Sequence, residues 1–133
     1  MPVDKVESPY SPGLQKLDIQ RIALPTLEVA YEAIFNLGME DAPREACGLL
    51  VNESLGIQVI PLVNRAEDPT GSYRVDNDTL RSLALKPHTW AHVAVWHTHP
   101  GGMIGPSAED LEHKLHSVKY LVVTIPTGEV TWF

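Results

Sequence analysis

The 133-residue chain has one cysteine, Cys47, and a lone thiol cannot close an internal disulfide. A disulfide scaffold is therefore excluded, and the composition suits a reducing compartment such as the cytoplasm. Basic charge is scarce: 10 Lys and Arg stand against 17 Asp and Glu, a formal net charge of -7. Neither a phosphate backbone nor an anionic membrane is neutralised by such a surface, so no nucleic acid and no membrane is expected as a partner. No apolar run approaches the ~20 residues of a spanning helix. The opening stretch MPVDKVESPYSPG holds three prolines and no apolar segment, so no secretory signal is expected. Internal repeats are also lacking.

What is present reads as one folded domain. With 44% hydrophobic and 20% charged residues, a chain of this length can bury a sufficient core unaided. Residues 1–17 mix Pro, Ser, Gly and charge without periodicity and are expected to form a flexible tail, leaving 18–133 as the domain. Ile19–Leu24 reads as a short first strand ended by Pro25. In TLEVAYEAIFNLG, Leu27, Ala30, Ile34 and Leu37 recur at helical spacing, with Thr26 suited to the N-cap and Gly38 to the position just past the end. ACGLLV and GIQVIPLV predict a hairpin across Asn52–Leu55; Pro61, having no amide donor, calls for a bulge or an unpaired side. NRAEDPTGS reads as loop, and NDTLRSLALKP as a helix capped by Asn77 or Asp78 and stopped before Pro87. HVAVWHTH is the strongest strand, PSAEDLEHKLHS reads as a helix, YLVVTIP as a buried strand and EVTWF as a closing strand. Strands mixed with about three helices, without strict βαβ alternation, predict an α/β or α+β layered domain around a mixed sheet.

The stretch VAVWHTHPGGMIGPSAED carries the chemistry. Side chains alternate along a strand, so Val93, Val95, His97 and His99 share one face, while His92, Trp96 and Thr98 share the other. Two imidazoles on one face of a rigid strand can converge on one ion. Pro100 and Gly101-Gly102 reverse the chain, Ser107 opens a helix, and Asp110 falls in its first turn. A carboxylate there completes a His₂Asp set that leaves one tetrahedral corner of Zn²⁺ open, the arrangement of a catalytic site; a structural site would be closed, mostly by cysteines. The plainer account is that HxH is accidental and Ser107-x-x-Asp110 a capping box. Capping and chemistry are compatible, since the Ser107 hydroxyl can accept from a helix amide while its proton points at an oxyanion. Hydrolysis also needs a base, and no HExxH motif supplies one. Glu45, in PREACGLL, is the strongest candidate; Glu109 neighbours Asp110 on the helix and should face away from it.

The remaining notable residues have plainer readings. Cys47 begins an apolar strand and reads as a buried small hydrophobe rather than a nucleophile, although a cysteine peptidase would require it. His113 and His116 read as solvated helix residues rather than a second metal pair, and His88 and His92 have no recognisable partner. Trp96 is expected to pack against a helix. Met103 and Ile104 either line a substrate groove or anchor their loop.

PREACGLL followed by HTHPGGMIGPSAED resembles the JAMM (MPN/Mov34/PAD-1-type) zinc metalloproteases: a glutamate before Cys-Gly, then HxHP, a spacer and Ser-x-x-Asp. The resemblance covers most of Leu24 to Phe133 and is strongest for prokaryotic and phage tail-tip members. It implies an α/β fold, cytidine-deaminase-like, with a mixed β-sheet flanked by helices and one zinc ion. It implies His97, His99 and Asp110 as ligands, Glu45 as general acid/base and Ser107 as the donor to the tetrahedral oxygen. The family reaction is hydrolysis of a peptide or isopeptide amide bond, with ubiquitin-like, sulfur-carrier or cell-wall peptide substrates. A phage-encoded member would be associated with the virion tail. The rival expectation is a non-catalytic scaffold or interaction module of the same fold.

Overall fold

A computed structural model describes residues 24–53, 56–79, 81, 93–116 and 118–133. The expected tail over 1–17, residues 19–23 of the first expected strand, Leu80 and residues 82–87 of the helix expected after Asn77, and His88 and His92 lie outside the described residues.

Chain order is α1 (Leu27–Asp41), β1 (Cys47–Glu53), β2 (Gly56–Leu62), β3 (Val93–His99), α2 (Ala108–Glu112), β4 (Lys119–Thr124) and β5 (Val130–Trp132). The strands form one sheet in the order β2-β1-β3-β4-β5, antiparallel except for the parallel pair β3 and β4. This is the expected mixed sheet flanked by helices. Among the described residues no helix is long and apolar enough to cross a membrane.

Alternation along the strands sorts the apolar side chains onto two faces. Leu50, Ala94, Trp96, Leu121 and Val123 pack with Ala30 and Ile34 of α1. Leu49, Val51, Val93, Val95 and Tyr120 form the opposite cluster, joined by Val75 from the loop after β2. Trp96 is fully buried on the α1 side, as expected, and its indole N–H donates to the Leu49 carbonyl at 3.0 Å. The central strand β3 is buried along its whole length, so polar groups at its end sit in a rigid, dry setting.

Two local expectations are corrected and a third is narrowed. Thr26 caps α1, its hydroxyl accepting from the Val29 amide, but the helix continues past Gly38 to Asp41. Gly38 serves close packing instead: a Cβ there would lie 2.8 Å from Thr98 Cγ2 and 3.0 Å from Ile125 Cδ1. Of the two alternatives at Pro61, the unpaired side is the one found and not the bulge: its pairing with Gly48 is in continuous register and β2 is the sheet edge, where a missing donor costs nothing. Finally, α2 ends at Glu112 rather than running to residue 117. The Leu115 amide donates to the Tyr120 hydroxyl at 2.8 Å instead of continuing a helix, and Leu115 packs on the β3 side cluster.

Candidate metal centre

The site forms where the ends of three segments meet. Strand alternation puts His97 and His99 on the same face, with Nε2 atoms 3.2 Å apart. The chain then reverses through Pro100–Gly102, with Gly102 at φ 92°, a conformation glycine adopts without strain. Asp110 returns in the first turn of α2, and its Oδ2 lies 3.0 Å from His97 Nε2 and 3.2 Å from His99 Nε2. Glu45 arrives from the other side. Its neighbour Ala46 is tied to Thr98 of β3 twice: the Thr98 amide donates to the Ala46 carbonyl at 3.0 Å, and the Ala46 amide donates to Thr98 Oγ1 at 2.9 Å.

Glu45, His97 and His99 can each offer a ligand atom within 4.8 Å of the others, a group that could hold a metal ion. The closer carboxylate is that of Asp110. Donor atoms at ~2.0–2.1 Å from a tetrahedral zinc stand about 3.3 Å from one another, so the separations of 3.0 and 3.2 Å among the two Nε2 atoms and Oδ2 match the edges of such a tetrahedron. The donor set, two imidazoles and a carboxylate, suits zinc. Glu45 stands further back. Its Oε1 is buried without a hydrogen-bond partner, an arrangement expected of a group that waits for a solvent molecule or substrate.

Second partners fix the first ones. His99 Nδ1 donates to the Met103 carbonyl at 3.3 Å, and the Thr124 hydroxyl donates to the same oxygen at 2.8 Å. With Nδ1 thus protonated, Nε2 keeps its lone pair for the centre. The parallel register of β3 and β4, His99 opposite Thr124, makes this shared acceptor possible. Ser107 and Asp110 form a reciprocal capping box: the Asp110 amide donates to Ser107 Oγ at 3.0 Å and the Ser107 amide to Asp110 Oδ2 at 2.9 Å. The Ser107 hydroxyl is an acceptor there and its proton remains available.

Electrostatics follow from burial and crowding. Burial pushes the Glu45 carboxyl up to about 7; the charge of His99 opposes this, and the like charge of Asp110 adds to it. Burial also raises Asp110, but hydrogen bonds from His97 and His99 outweigh it and hold the carboxyl well below its usual range. Burial keeps His97 below the ordinary imidazole value despite Asp110. At His99 burial acts in the same sense, yet the Asp110 hydrogen bond and the charges of Glu45 and Asp110 raise it overall.

The structure therefore brings Glu45, His97, His99, Ser107 and Asp110 into one place. Cys47 is buried in the core cluster on β1, its Sγ 3.9 Å from the Leu62 carbonyl. His113 caps the end of α2 and His116 is exposed, so neither joins the centre. Met103 contributes through its carbonyl, and its side chain, like that of Ile104, is more than half exposed. Sequence reasoning missed Tyr73, whose ring stacks on His97, and Asn64, whose side chain fastens the loop that carries it. Neither has a spacing signal; an aromatic within a polar loop was the one available clue. Beside Asp110 lies a cavity of about 610 Å³ between that loop and α2, walled by Tyr73, Val75, Val95 and Tyr120 with Glu67 and Glu109 among its acidic groups.

Residues 27–133 match the model of a family described as prokaryotic homologs of the JAB domain. A probable TtuB-protein conjugate cleaving protease of Thermus thermophilus is 31% identical over 86 residues, 63% of this chain and 58% of that protein. The match thus spans less than two thirds of that relative's length.

Proposed function

Because the chain belongs to the family of prokaryotic homologs of the JAB domain, we propose that it is a zinc-dependent metalloprotease cleaving a peptide or isopeptide amide bond. The observation that carries the reading is the convergence of His97 Nε2, His99 Nε2 and Asp110 Oδ2, 3.0 to 3.2 Å apart, beside the buried, unpartnered Oε1 of Glu45. When bound by these three residues, zinc supplies Lewis acidity toward water and toward a scissile carbonyl.

The chain's own groups do the remaining work. Glu45, poised at about 7, accepts the proton of the attacking water and returns it to the departing amine as the C–N bond breaks. Ser107 donates a hydrogen bond from its hydroxyl to the carbonyl oxygen as that carbon becomes tetrahedral, keeping its own proton, while its Oγ still accepts from the Asp110 amide. The Met103 carbonyl keeps His99 in the required tautomer. The cavity beside Asp110 receives substrate residues next to the scissile bond.

The similarity to a probable TtuB-protein conjugate cleaving protease supports a protein conjugate, such as one formed by a small carrier protein, as substrate. A phage tail-tip setting, the other context implied by the sequence resemblance, leaves the chemistry unchanged and alters only the substrate. A non-catalytic scaffold has no use for a buried carboxyl with an unpartnered oxygen, so Glu45 favours the enzyme.

The test is zinc content together with cleavage of a sulfur-carrier protein amide-linked to lysine. Cleavage is expected to stop on chelation, to return with zinc, and to fall by ~10²–10⁴ in Glu45→Gln, which should still take up zinc. Hydrolysis that persists in the metal-free protein would rule the proposal out.

A further inference from the structure

His97 and His99 are held by different means. His99 has the support usual for a metal-binding histidine, an Nδ1–H donated to a carbonyl. His97 has none: its Nδ1 is buried and makes no hydrogen bond. Instead, the Tyr73 ring lies flat on the His97 imidazole, with centroids 4.0 Å apart and planes 18° from parallel. The His99 ring meets it edge-on at 4.8 Å, and Phe133 does so at 6.2 Å.

An imidazole without a hydrogen-bonded second nitrogen turns about its χ2 bond unless packing prevents it, and a flat ring at contact distance does prevent it. The loop that delivers this ring is itself fastened. Asn64 Oδ1 accepts from the Ala66 and Arg74 amides at 2.9 and 3.1 Å. Its Nδ2 donates to the carbonyls of Ser72 at 3.0 Å and Glu45 at 2.8 Å. Tyr73 therefore sits between two tied residues, in a loop pinned to the residue proposed as acid/base.

We infer that Tyr73 is a positioning residue of the metal centre, its ring face holding His97 in the ligating orientation in place of a hydrogen bond. The assignment rests on the reading of His97, His99 and Asp110 as a zinc site. The stack has a second consequence. A cation on Nε2 draws electron density from the imidazole, and the negative face of a tyrosine ring attracts an electron-poor neighbour. Tyr73 thus favours the loaded centre over the empty one.

Zinc affinity, measured by competition with a chromophoric chelator, separates the ring from the rest of the side chain. Tyr73→Phe keeps the face and should bind within about twofold of wild type. Tyr73→Leu keeps most of the bulk and should bind about tenfold more weakly, as when other supports of a metal-binding histidine are lost. Cobalt(II) substituted for zinc should give visible bands that change in Tyr73→Leu and not in Tyr73→Phe. Unchanged affinity and spectrum in Tyr73→Leu would overturn the assignment, as would Tyr73→Phe binding as weakly as Tyr73→Leu. Should Tyr73→Leu fail to fold by circular dichroism, Tyr73→Met takes its place with the same readouts. A wild type that takes up no zinc overturns the site reading and this assignment together, before any variant is compared.

Discussion

Glu45 owes its chemistry to burial. A carboxyl near the surface would titrate near 4.5, whereas desolvation places this one at about 7, close to where a group that must both take and give a proton is useful. The same shift links stability to pH in the metal-free protein. The folded chain binds a proton at Glu45 more tightly than the unfolded chain, so this contribution is fully present below pH 4.5 and is lost as pH rises through about 7. Unfolding of chelated wild type by urea should show stability falling across that window by on the order of 3 kcal/mol relative to Glu45→Gln. Parallel pH profiles for the two proteins would contradict the burial argument. That Glu45, His97, His99, Ser107 and Asp110 come together was legible because each offers a side-chain group of distinct chemistry at a recognisable spacing. The Met103 carbonyl and the Tyr73 ring were not: any residue carries a carbonyl, and a stacking partner is chosen by how a loop closes.

Short elements depend on their ends. α2 has five residues and none is buried, so the capping box between Ser107 and Asp110 is its chief support. The same Ser107 is the proposed donor to the substrate oxygen, and substitution can separate the two roles. Ser107→Ala loses the cap, costing about 1 kcal/mol, or about fivefold in zinc affinity if the whole cost falls on Asp110, and should lower turnover by about 10². Ser107→Asp caps equally well but has no proton to donate when ionised, and should restore zinc affinity while leaving turnover low. Zinc titration alongside single-turnover cleavage reads both; full turnover in Ser107→Asp would leave Ser107 only its structural role. The mistakes at this scale have physical causes. Gly38 looked like a helix terminator, but its missing side chain lets α1 approach Thr98 and Ile125. α2 looked longer because Leu115 continues the apolar spacing, yet Leu115 spends its amide on Tyr120 and its side chain on the core.

In the whole molecule, the candidate centre joins parts of unequal rigidity. His97 and His99 belong to the central, fully buried strand, whereas Asp110 sits on a short outer helix and Glu45 in the segment leading into β1. Alternating apolar residues made the mixed sheet legible, but the order β2-β1-β3-β4-β5 was not, because inserting β3 between β1 and β4 rests on contacts far apart in sequence. A cation shared by β3 and α2 should tie the outer element to the core and stabilise only the folded state, in which its ligands converge. At a free zinc concentration about 1,000 times the Kd, the gain is ~4 kcal/mol, which for a chain of this size is a rise in melting midpoint of roughly 10–20 °C. Magnesium, which prefers an octahedron of oxygen ligands, should not produce it. Asp110→Ala should remove most of the rise, because the carboxylate oxygen 3.0 and 3.2 Å from the two imidazoles is lost and the remaining one, on Glu45, stands further back. Calorimetry of both proteins with zinc, with magnesium and with chelator tests this directly: a wild-type midpoint indifferent to zinc would mean that these three side chains do not act as one ligand set.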